Sequence, residues 1–295
     1  MSATTRIEWA DATWNPMTGC THVSEACDHC YAERIAGRNL PVTASHGFTP
    51  TFHPNRLDIP LQWRKPRRIF VCSMSDLFHP AFTDEQINLV INVMWLQAPQ
   101  HTYMVLTKRP ERMRDIILEH WSPKRMVCGR MLQPLRNLWL GVTAENQQAV
   151  DERIPILLDT PAAVRFVSVE PMLGPVDISP WLSGLEANCG RTDDGSDGPC
   201  VLKSGHFGPC YGPGDVASDW TPAHEVPRLD WVILGGETGP GARPMQPEWA
   251  TDVYQQCQSA SVPFFFKQPG SYWGKEVGAA WGPMVTTREL PEVAR

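Results

Sequence analysis

The chain has 295 residues, of which 42% are hydrophobic and 20% charged, and its formal net charge is −6. This composition is typical of a folded protein with a sizeable core, and it argues against a globally basic nucleic-acid coat. No apolar run approaches the roughly 18 residues of a membrane span, and the first residues lack the pattern of a secretory signal. We therefore expect a cytoplasmic protein with no membrane contact.

Three of the nine cysteines lie close together, in the segment TGCTHVSEACDHCYAERIAGR at 18–38. A reducing compartment disfavours disulfides, which leaves metal binding or burial for most of the cysteines. Cys20, Cys27 and Cys30 have the spacing C-x6-C-x2-C, and the residues after Cys30 predict a helix that ends near Gly37. The amino end of such a helix would favour anionic thiolates beside it.

The spacing of these cysteines is compatible with two kinds of metal site. Three thiolates can hold an iron–sulfur cubane and leave one iron open to bind something else. A zinc ion is the other candidate, with His22 or His29 as the fourth ligand. A third interpretation is that the cysteines are reduced and purely structural. The residues alone leave these alternatives open.

Short apolar runs recur along the chain and alternate with helix-like segments. The runs predict buried strands at 67–74, 101–109, 138–145, 164–172, 229–239 and 262–270. Helices are predicted over 83–99, 145–160 and 246–261, the first with Thr83 as N-cap and Gln86 at the capping-box position. This repetition predicts a parallel sheet, and because no G-x-G-x-x-G turn follows a strand, we predict an α/β barrel or partial barrel and not a doubly wound open sheet.

Residues 183–228 interrupt this rhythm with a segment rich in Gly, Pro and Asp, too long for an ordinary connection. We interpret it as an insertion into a single domain that spans 1–295. The insertion has two candidate roles, as a metal site or as a Gly-rich flap that closes over substrate. Its potential ligands are Cys189, Cys200, Cys210, His206 and His224. The remaining cysteines, Cys72, Cys128 and Cys257, are predicted to be buried.

Polar residues at the predicted strand ends are candidates for a site, because α/β barrels build their active sites at the carboxyl ends of the strands. These residues are Ser73, Ser75, Asp76, Thr107, Lys108, Arg109, Thr143, Glu145, Asn146, Ser168, Glu170, Glu237, Lys267 and Gln268. Glu170 and Glu237 directly follow apolar runs, where a carboxylate needs a partner. Lys108, Arg109 and Lys267 are the candidate cations. We take Glu170, Glu237 and Lys108 as candidate catalytic residues.

Seven stretches of the chain resemble a phage and bacterial protein family of unknown function, known for a three-cysteine motif and similar to radical S-adenosylmethionine (SAM) enzymes. The stretches are IEWADATWNPMTGCTHVSEACDHCYAERIAGR, SMSDLFHP, VLTKRPERM, LWLGVTAENQ, RIPILLDTPAAVRFVSVEPMLGPVDI, LDWVILGGETGPGARPM and VPFFFKQPG. They cover most of the chain outside 183–228 and the C-terminal tail.

The resemblance implies a partial (β/α)6-type barrel in which Cys20, Cys27 and Cys30 hold a [4Fe-4S] cluster after the first strand. SAM would chelate the open iron, and an electron donor would drive its cleavage to methionine and a 5′-deoxyadenosyl radical that abstracts hydrogen from a substrate. By strand order, six residues would contact SAM. They are Ser73, Ser75 and Asp76 near its amino group, Thr143 and Glu145 near its ribose, and Glu170 near its ribose or methionyl end.

Two features depart from the usual radical SAM pattern. The common spacing is C-x3-C-x2-C, whereas here six residues separate Cys20 from Cys27. A six-residue arc still reaches one cluster, since extended chain covers several ångströms per residue. His29 stands before the last cysteine, where an aromatic residue is usual, so it would touch adenine or face solvent.

Three functions follow from these interpretations. The leading hypothesis is a radical SAM enzyme acting on a base or sugar of DNA or RNA. A protein that delivers the substrate is a further candidate partner. The nucleic-acid part of the leading hypothesis rests on the phage association of the family, on the basic runs at 65–70 and 107–114, and on tryptophans that can stack on bases. The alternatives are a zinc-binding barrel acting as a non-enzymatic adaptor or nucleic-acid-binding module, and a hydrolase with Glu170 and Glu237 as acid/base pair.

Overall fold

The structure is a computed structural model, which describes residues 5, 7–38, 46–121, 126–127, 130–131, 136–183, 227–274 and 279–292. Most of the predicted insertion at 183–228, with its candidate ligands, lies outside these residues, and so does Cys128. Cys72 and Cys257 are buried, as predicted. Within the described part of the chain, no helix is long and apolar enough to cross a membrane.

Seven parallel strands form the central sheet, a half-barrel that alternates with helices. They are β1 (Ala12–Trp14), β2 (Arg68–Val71), β3 (Thr102–Thr107), β4 (Leu138–Thr143), β5 (Val164–Val169), β6 (Trp231–Gly235) and β7 (Phe264–Gln268). Neighbours in the sheet follow chain order without the reversal that marks a doubly wound sheet. The predicted α/β partial barrel is therefore confirmed, and its seven strands are joined by six connections.

The described α-helices lie in the connections between these strands. They are α1 (Tyr31–Ala36), α2 (Asp84–Asn92, continued by a π-helical turn at Val93–Gln97), α3 (Pro110–Trp121), α4 (Gln147–Leu158) and α5 (Pro247–Ser259). The predicted capping box of α2 is confirmed. The Thr83 hydroxyl accepts from the Gln86 amide at 3.3 Å, and the Gln86 side chain accepts from the Thr83 amide at 3.1 Å.

Short elements complete the fold. Antiparallel pairs join Met17–Thr18 to Thr51–Phe52 and Met126–Val127 to Arg130–Met131. Single 3₁₀ turns lie at Glu25–Cys27, Pro54–Arg56, Ile59–Gln62, Ser179–Trp181 and Ser271–Trp273, and a longer kinked one at Ala279–Thr286.

The two faces of the sheet pack against different partners. One face contacts the helices through aliphatic residues such as Val105 of β3 and Val167 of β5. The other, inner face carries an aromatic cluster, which includes Trp231 and Phe166 at a ring separation of 5.6 Å. Gly141 in β4 makes room for it, since a Cβ there would lie 2.4 Å from the Phe166 ring. Strand alternation thus gives the sheet two apolar faces, which leaves the strand ends as the places where polar residues can lie.

Candidate functional site

The cysteines lie on a loop, residues 19–30, that we call the cysteine loop. The chain reaches it from β1 through the short pairing of Met17–Thr18 with Thr51–Phe52. Gly19 turns the chain with a φ of +81°, and a Cβ at this position would lie 2.2 Å from the Thr49 carbonyl oxygen. Glycine is therefore required directly before the first cysteine.

The loop ends in the helix predicted from its sequence. Cys27 closes a 3₁₀ turn, and its carbonyl accepts a hydrogen bond from the Cys30 amide at 3.2 Å. Cys30 is the N-cap of α1, and Gly37 is its C-cap, as predicted. Cys20, Cys27 and Cys30 are free thiols, each partly exposed. All three are therefore accessible and unblocked by disulfides.

The carboxyl end of β2 is hydrogen-bonded to the cysteine loop and α1. The Ser75 hydroxyl donates to the Gly19 carbonyl at 2.6 Å, and the Tyr31 hydroxyl donates to the Ser73 carbonyl. The Ser73 hydroxyl pairs with the Asn15 side chain at 3.1–3.2 Å. The hydroxyls of both serines predicted to contact SAM thus already have protein partners, and a SAM contact stays a prediction.

Asp76 links the ends of β2 and β3. This buried carboxylate accepts from the Thr107 hydroxyl at 2.8 Å, the Phe78 amide at 3.0 Å and the Lys108 amide at 3.2 Å. It also pairs with the Arg109 guanidinium at 2.9 Å. The Lys108 ammonium, in contrast, has no hydrogen bond or ion pair with any described residue. Asp76 is therefore held inside the protein, while the Lys108 side chain remains available.

Arg109 extends from this link to the first cysteine. Its Nη1 lies 3.6 Å from Cys20 Sγ, and its Nη2 donates to the carbonyl of Thr21 at 3.1 Å. Burial and the Asp76 charge raise the pKa of Cys20 above its ordinary value, and the Arg109 cation acts against them. The Thr21 hydroxyl also meets His79 Nε2 at 2.9 Å, in a turn where His79 is buried.

Glu237, at the end of β6, is bonded to the other side of the loop. Its carboxylate pairs with the Arg243 guanidinium and meets His29 Nδ1 at 2.8 Å. Burial acts to raise the pKa of Glu237, but hydrogen bonds from Arg243 and His29 outweigh it and lower that pKa to about 2. Arg243 also donates to the Glu25 carbonyl at 2.8 Å. The partner of Glu237 is thus Arg243 and none of the cations predicted from the sequence.

Glu170, at the end of β5, has the partner that its position demands. Lys267 Nζ lies 2.6 Å from Glu170 Oε1, and Gln268 Nε2 lies 3.3 Å from the same oxygen. Glu170 therefore lies, already paired, at the carboxyl edge that the cysteine loop contacts.

The end of β4 is mostly structural. Glu145, 1% exposed, pairs with Arg153 of α4 at 2.8 Å, and the same guanidinium donates to the Thr143 carbonyl. Burial acts to raise the pKa of Glu145, yet the pKa is lowered because the nearby Ser24 hydroxyl and the Arg153 guanidinium stabilise its charge. Asn146 caps α4 and donates to Glu25 Oε1 in the cysteine loop at 2.7 Å. SAM contacts by Thr143 and Glu145 stay predictions.

The thiols of the cysteine loop are ligands of the type that both an iron–sulfur cluster and a zinc ion take. Among the described residues, no group of three or more His, Cys, Asp or Glu side chains is arranged to hold one metal ion. His29 is bonded to Glu237, and His22 lies 3.7 Å from Glu33. A zinc ion needs its ligands to converge on one point, whereas a cubane takes each thiolate at a different iron. Three free thiols on the cysteine loop are thus a ligand set that a cubane can take.

The two basic runs lie at opposite edges of the sheet. Arg68 begins β2 and so belongs to the amino edge, while Lys108 follows β3 at the carboxyl edge. In the second run, Arg112 donates to the carbonyls of His79 and Phe82 and pairs with an aspartate. The two runs therefore do not form one continuous surface beside the cysteine loop.

Three contact residues of the site carry little sequence signal. Asn15 and Tyr31 meet Ser73 across 58 and 42 residues of chain, a separation that no local pattern predicts. Arg243 had one available signal. It is the first cation after Glu237 on the same Gly-rich connection, and a buried carboxylate needs a cation.

Residues 4–292 match the model of a family described as a protein of unknown function, DUF5131. The chain belongs to this family. No curated protein matches it, and no solved structure does. The family description assigns no reaction to this DUF5131 protein.

Proposed function

We propose that this protein is an iron–sulfur enzyme of the radical SAM type. One observation carries the proposal: a loop with three free cysteines is hydrogen-bonded to strand ends at the carboxyl edge of a parallel half-barrel. This is the edge at which α/β barrels build their active sites. The strand-end residues that contact the loop or α1 are Ser73, Ser75, Arg109, Asn146 and Glu237.

Cys20, Cys27 and Cys30 would hold a [4Fe-4S] cluster, leaving one iron without a protein ligand. When bound, the cluster and SAM supply one-electron cleavage of SAM to methionine and a 5′-deoxyadenosyl radical that takes a hydrogen atom from substrate, with the electron coming from an external donor. The protein supplies position. Its contacts to several strand ends hold the loop before any cofactor binds, which limits the ordering that binding must impose.

The acidic residues divide into two roles. Glu237 is ionised at neutral pH because its pKa is about 2, so it is a poor proton donor. We assign it the positioning of His29, beside Cys30. Glu170 and Lys108 remain the candidates for contact with SAM or substrate, since the Lys108 ammonium has no described partner and Glu170 follows β5 at the edge that the cysteine loop contacts. On this assignment Glu237 is not a proton donor, so Glu170 and Glu237 do not form the acid/base pair that the hydrolase interpretation needs.

The substrate that we propose is a component of a nucleic acid. Two features at the carboxyl edge support it: the available Lys108 ammonium, and Tyr272, which is 60% exposed in the turn after β7. Cations contact phosphates and exposed rings stack on bases.

Fluorescence anisotropy with labelled single-stranded DNA and RNA tests this at several salt concentrations. Lys108→Ala should reduce the slope of log affinity against log salt concentration by the amount expected for about one phosphate contact. Equal slopes for the wild type and the variant would contradict the proposal.

The deciding experiment is anaerobic reconstitution with iron and sulfide. We expect about four irons per chain, their loss in a Cys20→Ala, Cys27→Ala, Cys30→Ala triple variant, and their retention in Cys257→Ala, which removes a buried cysteine outside the loop. SAM and dithionite should then yield 5′-deoxyadenosine. Zinc in place of iron, with SAM left intact, would contradict the proposal and favour a zinc-binding barrel that acts as an adaptor.

A further inference from the structure

We propose that Arg109 raises the reduction potential of the cluster through its hydrogen bond to the Cys20 sulfur. The inference rests on the proposed function, because it concerns a cluster held by the cysteine loop. It adds a residue outside the three-cysteine motif to the set that controls electron transfer.

The contact joins a guanidinium to the sulfur and to the backbone beside it. Nη1 of Arg109 lies 3.6 Å from Cys20 Sγ, within the range for a hydrogen bond to sulfur, and Nη2 donates to the Thr21 carbonyl and hydroxyl at 3.1 and 3.2 Å. Among the described residues, no side-chain cation makes a comparable contact to Cys27 or Cys30. The effect would therefore fall on one of the three ligands.

The guanidinium is fixed by groups that belong to the sheet. Nη1 is shared with Asp76 Oδ2 at 2.9 Å, and the Arg109 amide donates to the Thr107 hydroxyl at 2.9 Å. That hydroxyl in turn donates to Asp76. The side chain is only 14% exposed. Its position thus depends on the ends of β2 and β3 and does not require the cluster to be present.

Reduction adds one negative charge to a cluster and its thiolates. Hydrogen bonds to the sulfurs and positive charge nearby stabilise the more negative, reduced state, and both raise the reduction potential. Asp76 offsets part of the guanidinium charge, but it leaves the directed N–H to Cys20 in place. The consequence is a cluster that a weaker electron donor can reduce.

The test is a redox titration of the reconstituted protein, followed by electron paramagnetic resonance. Arg109→Gln should lower the equilibrium constant for cluster reduction about tenfold, which is about 59 mV for a one-electron couple. Arg109→Lys should also lower it, because a compact ammonium will pair with the Asp76 carboxylate in preference to the sulfur. The decrease should be smaller than in Arg109→Gln, because lysine keeps the positive charge nearby. Arg112→Gln is the matched control. This neighbouring arginine binds the carbonyls of His79 and Phe82 and should leave the potential unchanged.

The outcomes separate the two proposals. A wild-type protein without iron and sulfide would overturn the proposed function and this inference with it. If the wild-type protein holds the cluster and both Arg109→Gln and Arg109→Lys have the wild-type potential, the inference alone is overturned. Should Arg109→Gln fail to fold, the potential of Arg109→Lys decides: a lowered value supports the inference, and an unchanged value overturns it.

Discussion

The inner face and the carboxyl edge of the half-barrel contrast in what they bury. On the inner face, aromatic rings from the strands pack around Trp231, which is fully buried and contacts Trp9, Trp139 and Phe166. At the carboxyl edge, charged and hydroxyl side chains form hydrogen bonds that hold the cysteine loop. The contrast indicates that stability and function depend on different parts of the same strands, and the two should be separable by substitution.

The largest expected effect is on the inner face. Trp231→Ala should lower the free energy of unfolding by about 4 kcal/mol, because it removes a large ring from a closely packed cluster. Urea unfolding measures this loss. The reconstituted iron per folded chain should stay unchanged. A loss of iron from protein that remains folded would show that the two parts are not separable.

A second variant tests whether the end of β4 is structural. Arg153→Met should cost about 3 kcal/mol, since it leaves the buried Glu145 carboxylate without a partner. The double variant Glu145→Gln, Arg153→Met should recover much of that stability in the same unfolding assay. A double variant no more stable than Arg153→Met would contradict the assigned ion pair. A stable double variant that loses SAM-dependent activity would assign Glu145 a role in the site.

The pH dependence of stability probes the carboxyl edge. The pKa of Glu237 is lowered to about 2 in the folded state, so its contribution is complete above the unfolded pKa and is lost as pH falls from about 4.5 towards 2. Allowing for solvent around Arg243, we expect that contribution to be about 2 kcal/mol.

Urea unfolding at pH 7 and pH 3 measures it, with Glu237→Gln beside the wild type. The wild type should lose more stability than the variant on acidification. Glu248→Gln, at an exposed position of α5, is the control and should behave as the wild type. Equal acid sensitivity of all three proteins would contradict the assigned ion pair.

The smallest effect is expected outside both regions. Thr83→Ala removes the N-cap of α2 and should cost about 1 kcal/mol in unfolding free energy. Cluster content and SAM cleavage should not change, because α2 makes no described contact with the cysteine loop. A change in iron content here would mean that general destabilisation affects the site, and it would weaken the interpretation of every other variant.

The features that the sequence predicts well are local ones. The α2 cap, the start of α1 at Cys30 and the six longer strands all follow from residues within a few positions of one another. The need of Glu170 for a cation was predictable too, because a carboxylate after an apolar run needs one, but the sequence left Lys108, Arg109 and Lys267 as equal candidates. β1, with three residues, is too short to give a periodic signal.

The attachment of the cysteine loop was not predictable in the same way. His29 meets Glu237 across 208 residues, and Arg109 meets Cys20 across 89, so only the folded sheet brings them together. Helix α3 was also missed, because its charged first turn was interpreted as part of a basic nucleic-acid-binding run.

The most direct test of the central claim is the electron paramagnetic resonance spectrum of the reduced, reconstituted protein with and without SAM. A cluster held by Cys20, Cys27 and Cys30 has one iron open to SAM, so we predict a cluster signal that changes when SAM is added. A protein that binds zinc and gives no signal, or a signal that SAM leaves unchanged, would contradict the claim that the cysteine loop holds a SAM-binding cluster.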